Sequence, residues 1–233
     1  RNRHPDGTWA EFDPSSSRGF AEGSAAQYTW MVPHDVAGLM EAMGGVAEAT
    51  RRLDAFFHTP DGDWALTGLG GLHAEMDNEP TIGAPWAYLY TGEPSKAQEI
   101  MREVQVRLWS DRPHGIPGND DLGAMSSWYV WSALGMYPGI PGRAELFLSS
   151  PLFPLAVVER PEGNDIIVRA PDTSVDAPYV QGLTVDGQAW RRPWLPEVFV
   201  ERGGELVFRL GPDPHPSWGS GVEAAPPSFG GAG

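Results

Sequence analysis

Gly118-Asn119-Asp120-Asp121-Leu122-Gly123-Ala124-Met125-Ser126-Ser127-Trp128-Tyr129-Val130-Trp131-Ser132-Ala133-Leu134-Gly135-Met136-Tyr137-Pro138-Gly139 joins a glycine-bounded acidic loop to an apolar helical run. Over 122–137 the apolar residues Met125, Trp128, Val130, Trp131, Leu134 and Met136 fall on nearly every side of a 3.6-residue wheel, and the pattern stops at Pro138-Gly139. A helix without a polar face is buried on most sides, as the inner helices of a helical barrel are. The loop before it sets two carboxylates and a carboxamide among glycines, where little side-chain bulk shields the acids. Held on a rigid helix, such a loop suits a catalytic base or a hard-cation ligand. Asn-Asp-Asp ahead of a helix reads as an N-cap too.

Upstream of this stretch the helical period continues. The segment 35–43 ends at Gly44-Gly45, a C-cap signal, and 46–57 carries Val46, Ala49, Leu53 and Phe57 on one face. Ser95-Lys96-Ala97-Gln98 reads as a capping box after Pro94, with Ile100, Val104 and Leu108 following at helical spacing. Downstream, from about residue 144, short β-branched and aromatic runs predict strands over 145–148, 156–159, 165–169, 179–185, 198–200 and 205–210. Asp186-Gly187 and Gly203-Gly204 are hairpin candidates, and the spacing predicts an antiparallel sandwich. The tail, 217–233, is Gly, Ala, Pro and Ser with little to bury, which predicts a loosely held segment. The chain therefore reads as α+β: a helical portion over 1–143, a strand-rich region over 144–216 and a tail over 217–233. Four or five helices do not close a barrel, so an N-terminal portion is expected to precede this one.

Composition narrows the function classes. The 233 residues include 16 basic and 31 acidic ones, a formal net charge of −15, and no Lys/Arg cluster, which argues against nucleic acid and other polyanions. Cysteine is absent, so thiolate metal sites, disulfides and cysteine nucleophiles are excluded, and oxygen and imidazole remain as metal ligands. No apolar run approaches the roughly 20 residues that cross a bilayer. The start Arg1-Asn2-Arg3-His4-Pro5 is neither an initiator methionine nor a signal peptide and reads as processed. Ten tryptophans beside many acids match the lining of a sugar site, where rings stack on C–H faces and carboxylates take hydroxyls.

Three acidic loops recur in one order with their aromatic neighbours: Glu22-Gly23-Ser24-Ala25 with Gln27-Tyr28-Thr29-Trp30, Asn78-Glu79-Pro80, and Pro117-Gly118-Asn119-Asp120-Asp121 with Ser127-Trp128-Tyr129. Val32-Pro33-His34-Asp35 and Ser150-Pro151-Leu152-Phe153-Pro154 accompany them. With these motifs the chain resembles the C-terminal part of glycoside hydrolase family 92, the calcium-dependent, inverting, exo-acting α-mannosidases. The resemblance implies the later helices of an (α/α)₆ toroid followed by a small antiparallel sandwich-like region, with an N-terminal β-sandwich and the remaining toroid helices as partners outside this chain. It implies Glu22 as general acid, Asp121 or, second, Asp120 as base, and Ca²⁺ held by Asn78 and Glu79, with Asp121 as a further ligand candidate. Asn119, Trp86 and Trp128, next to these loops, are candidate sugar contacts, and core packing is the favoured role for the two rings.

An inverting pair stands about 6.5–9.5 Å apart to admit a water, and a gap near 5 Å predicts retention. Ala21, Gly23, Tyr28 and Trp30 around Glu22 predict a low-dielectric pocket that favours a protonated acid. After Asn78-Glu79-Pro80 many relatives show Ser-His-His, whereas this chain has Thr81-Ile82-Gly83. The expected partner is a mannose-containing glycan and the expected location secreted, periplasmic or cell-surface, with no nucleic acid and no membrane span. Alternatives are a mannosyl-phosphate hydrolase of the same family and a non-catalytic carbohydrate-binding module.

Overall fold

Helices fill the first half of the computed structural model, which describes residues 3–230; Arg1, Asn2 and the tail end 231–233 lie outside it. They are α1 (Ala25–Tyr28), α2 (Val36–Ala42), α3 (Val46–Phe57), α4 (Glu79–Ile82), α5 (Pro94–Leu108) and α6 (Ala124–Ala133), with a 3₁₀ segment over Ala84–Tyr90. Leu53 and Phe57 of α3, Tyr88 and Leu89 of the 3₁₀ segment, Ile100 and Met101 of α5, and Trp128 of α6 share one core. All seven residues of the 3₁₀ segment are buried, so packing sustains a run longer than this helix type usually reaches.

Two local readings shift by a residue or more. Helix α5 starts at Pro94 with Glu93 as N-cap, and no side chain caps it. Proline is preorganised for the first helical position, which moves Ser95 inside the first turn and leaves the predicted capping box unformed. Helix α6 is shorter than 122–137 because Gly123 (φ 90°) precedes it and Gly135 (φ 74°) follows it. Met136–Tyr137 then leaves as strand β1 to pair with Leu148 and Phe147. One face of α6 is open, with Val130 exposed.

The second half is strand-rich, which makes the chain a mixed α+β structure. Strands β1 (Met136–Tyr137), β2 (Leu146–Leu148) and β7 (Trp194–Leu195) form one sheet. Strands β3 (Leu155–Val158), β4 (Ile166–Arg169), β5 (Tyr179–Val185), β6 (Gln188–Trp190) and β8 (Gly204–Gly211) form the other, in the order β3-β4-β8-β5-β6. The larger sheet is mixed where the sequence predicted antiparallel pairing, because β4 and β8 run parallel. Asp186 (φ 49°) and Gly187 (φ 77°) turn the β5–β6 hairpin with Val185 opposite Gln188, the geometry an Asp-Gly turn supplies. The predicted strand over 198–200 is instead helix α7 (Glu197–Arg202). Three apolar residues are too few to choose a period, and Pro196, an early Glu197 and a late Arg202 favour the helix. Gly203 (φ 72°) is consequently a C-cap and not a hairpin turn.

Helix α5 joins the halves. Its Gln98 Oε1 accepts the Val180 N–H at 3.0 Å, and the buried Arg102 donates to the Ser174 and Pro151 carbonyls. The tail is tied down through its described part, contrary to the loose segment its composition predicted. Trp218 is buried and donates to the Trp190 carbonyl, Tyr90 Oη donates to the Pro227 carbonyl at 2.9 Å, and Ser228 Oγ donates to Asp35 at 2.8 Å. Hydrogen bonds to and from residues outside the tail hold a segment that has few apolar groups of its own. No helix among the described residues is long and apolar enough to cross a membrane.

Candidate active site

Glu22 precedes the short helix α1, whose Ser24 and Gln27 form a reciprocal capping box. Both side chains also reach outward: Ser24 Oγ donates to the Gly71 carbonyl at 2.5 Å and Gln27 Nε2 to the His73 carbonyl at 3.0 Å. The Glu22 loop is thereby clamped to the segment that leads into α4. Asn78 is the N-cap of α4; its Oδ1 accepts the Glu79 N–H at 3.1 Å, and its Nδ2 donates to the Glu22 carbonyl at 2.7 Å. One carboxamide thus sets the positions of two acids.

The third loop meets the second backbone to backbone. A Cβ on Gly118 (φ 62°) would lie 2.0 Å from the Asp77 carbonyl oxygen, so only glycine permits the approach. Beyond it, Asp120 Oδ1 accepts the Ser126 N–H at 2.8 Å and its carbonyl accepts the Met125 N–H at 3.2 Å. Asp120 therefore caps α6, while Asp121 turns away. Trp128 Nε1 donates to the Ile82 carbonyl at 2.9 Å, which ties α6 to the end of α4.

These clamps bring Glu22, Glu79 and Asp121 together, with one carboxylate oxygen of each within 4.8 Å of the others. Glu22 and Asp121 are exposed and Glu79 is half-buried. Glu22 (φ 52°), Asp121 (φ 45°) and Leu122 (φ 59°) all hold left-handed backbone, a conformation that costs a non-glycine residue about 1–3 kcal/mol and gathers at functional sites. Three like charges this close repel unless a proton or a cation stands between them. Two oxygens bound to one calcium ion at about 2.3–2.6 Å lie at most roughly 5 Å apart, so this all-oxygen cluster fits a hard divalent cation.

The other predicted residues have different places. Trp86 and Trp128, the candidate sugar rings, are 2% and 1% exposed, and stack on Tyr137 and Trp109 respectively. They support the site from the core and offer no ring to a ligand. Asn119 is exposed beside Glu22. The apolar pocket predicted around Glu22 is absent among the described residues: Glu22 is exposed, and Tyr28 Oη is taken up by the Ala21 carbonyl at 2.6 Å. Asp77 received no role from the sequence, although it precedes Asn78 and lines the same cavity as Glu22. Its adjacency to the Asn78-Glu79 motif was the available signal.

A larger cavity of about 1010 Å³, walled by Phe12, Trp30, Phe56, Trp64 and Tyr88, contains none of the three clustered acids. In its wall Tyr88 Oη donates to Asp54 at 2.8 Å, and Lys96 bridges Asp54 and the neighbouring Glu93. Burial, followed by the bond to Asp54, holds the Tyr88 phenol far above its ordinary pKa. The three clustered acids lie outside it, and Glu22 instead lines the smaller cavity with Asp77 and Asn78.

Known proteins carry the same arrangement of chain. A secreted glycosidase of Arthroderma benhamiae, itself uncharacterised, is 30% identical over 244 residues, spanning 98% of this chain and 30% of that protein. A family 92 inverting mannosidase of Bacteroides thetaiotaomicron superposes with a TM-score of 0.84 at 33% identity, over 96% of this chain and 32% of that one. A family 92 α-mannosidase of the same organism, solved with mannoimidazole, gives a TM-score of 0.86 at 30% identity, over 98% and 32%. The chain spans about a third of the length of the relatives it matches. The model of the glycosyl hydrolase family 92 catalytic domain matches residues 1–212, and the chain belongs to that family.

Proposed function

We propose that this chain carries the acid and base residues of a calcium-dependent exo-α-mannosidase. The observation that supports the reading best is the convergence of Glu22, Glu79 and Asp121 from three separate loops. Glu22 is the general acid: its proton passes to the glycosidic oxygen as the bond from that oxygen to C1 breaks. Asp121 is the base: it takes a proton from the water whose oxygen forms the new bond to C1. Glu79 is the residue to hold calcium, with an Asp121 oxygen in reach of the same ion and Asn78 positioning both Glu22 and Glu79. When bound, the cation supplies charge stabilisation at the sugar hydroxyls and favours a distorted ring. An inverting mannosidase and an α-mannosidase among the relatives, and one secreted relative, support the substrate class and a secreted location. Their greater length supports placing 1–143 in a toroid completed by further polypeptide, with 144–216 and the tail packed behind it.

In the full-length protein, excess EDTA abolishes hydrolysis of α-mannosides and added Ca²⁺ restores it; full activity in the chelator would remove the metal from this reading. Stereochemistry has two readings. Kinship with an inverting mannosidase favours inversion, whereas Glu22 and Asp121 oxygens within 4.8 Å fall below the roughly 6.5–9.5 Å of an inverting pair. We take inversion, with a bound sugar and its attacking water holding the two carboxylates apart. Proton NMR of the first minutes of reaction decides it: β-mannose appears first if the water attacks directly, and α-mannose first would replace inversion with a covalent Glu or Asp intermediate.

A further inference from the structure

We propose that the larger cavity, which holds none of the three acids, is the seat of an apolar helix from further polypeptide of the same protein, and that this helix, resting on Leu72 and His73, positions the Glu22 loop. The inference rests on the reading of 1–143 as part of a longer catalytic domain. Phe12 and Leu72 line the cavity and are 59% and 52% exposed, while Trp30, Phe56 and Tyr88 are buried in its wall. Large apolar side chains exposed together mark a surface that another body covers. The cations around it are already engaged, Arg51 and Arg52 with Glu48 and Lys96 with Asp54, so what the cavity offers is apolar.

The shape suits a helix. Ala55 of α3 and Ile100 of α5 lie on its two flanks, and a third helix packs its apolar ridge into the groove between two such neighbours. His73 adds a requirement: its Nδ1 is sealed from solvent and has no hydrogen-bond partner among the described residues, so the occupant carries a hydrogen-bonding side chain opposite it. The chain spans about a third of the length of the relatives it matches, so further polypeptide is the occupant of stated source.

The cavity and the candidate acid share a wall. The carbonyls of Gly71 and His73 accept the bonds from Ser24 and Gln27 that clamp the Glu22 loop, while the side chains of Leu72 and His73, together with Ala26 and Thr29 at α1, line the cavity. A helix seated there contacts both sides of that clamp. The left-handed backbone of Glu22 persists only where its surroundings hold it, and the seated helix supplies part of that hold.

Hydroxyl-radical labelling of the full-length protein tests the seat. Phe12 and Leu72 label as slowly as the buried Phe57 and Leu53. Labelling as fast as in the unfolded protein would overturn the proposal, and protection that fades on dilution would replace the helix with a second copy of the chain. For the positioning role, Leu72→Asp in the full-length protein lowers kcat on an α-linked mannobiose by about 100-fold, the cost of misplacing a reacting group, with KM little changed. Turnover of 2,4-dinitrophenyl α-mannoside, which does not need the proton of Glu22, stays within about tenfold of wild type, and Leu72→Met restores both. Equal loss on both substrates with a lowered Tm would reduce Leu72 to a packing residue. Wild-type protein that hydrolyses neither substrate, with Phe12 and Leu72 protected, would sink the glycosidase reading and leave the seat standing.

Discussion

Glu22→Gln lowers kcat/KM on α-linked mannobiose by about 10²–10⁴-fold, the usual contribution of a positioned general acid, while leaving turnover of 2,4-dinitrophenyl α-mannoside within roughly tenfold of wild type. The difference follows from the leaving groups. A sugar alkoxide cannot depart without a proton, and a dinitrophenolate can. Gln keeps the length of Glu, so the left-handed backbone at this position and its bond from Asn78 are preserved. The comparison therefore isolates the proton. Equal loss on both substrates would exclude Glu22 as the acid and leave it as a cation ligand within the same cluster.

Asp121→Asn lowers turnover of both substrate types together, by a factor on the order of 10²–10⁴, because every substrate needs the water activated. Asn tolerates positive φ better than most residues, so the strained loop should keep its shape. Asp120→Ala behaves differently. It removes the acceptor for the Ser126 N–H and destabilises the protein by about 0.5–2 kcal/mol, the range for a lost helix cap, which thermal unfolding measures. A large kinetic loss in Asp120→Ala with no change in Tm, beside an active Asp121→Asn, would reverse the assignment of the two aspartates.

Much of the local structure is legible in the residues. The helix over 46–57 and the strand over 179–185 have the ends their apolar periods predict, and Asp186-Gly187 turns its hairpin. In these places propensity, pattern and turn chemistry agree. Where they compete, the reading fails. At 198–200 three apolar residues suit a strand, but flanking Pro196 and charges at both ends make a helix. At Ser95 a preceding proline moves the helix start and leaves the cap signal idle. The tail has no pattern to read, since acceptors and donors in other segments hold it.

The candidate site divides along the same line. By itself the sequence determined the residue types and their order: three acidic loops, each next to a helix start, with the glycines that let backbones approach. Tertiary structure decided which acids meet. Asp120 and Asp121 are neighbours with the same chemistry, and only the bond from Ser126 turns one into a cap and leaves the other in the cluster. Trp86 and Trp128 sit beside the acidic loops in sequence, yet, as the favoured reading of their helical surroundings had it, they are core: each is buried, one stacked on Tyr137 and the other on Trp109. The cluster itself depends on Asn78 reaching Glu22 and Gly118 reaching Asp77, contacts between residues far apart along the chain. Local periodicity carries no record of such contacts, because they arise only when separate loops are packed against a common core.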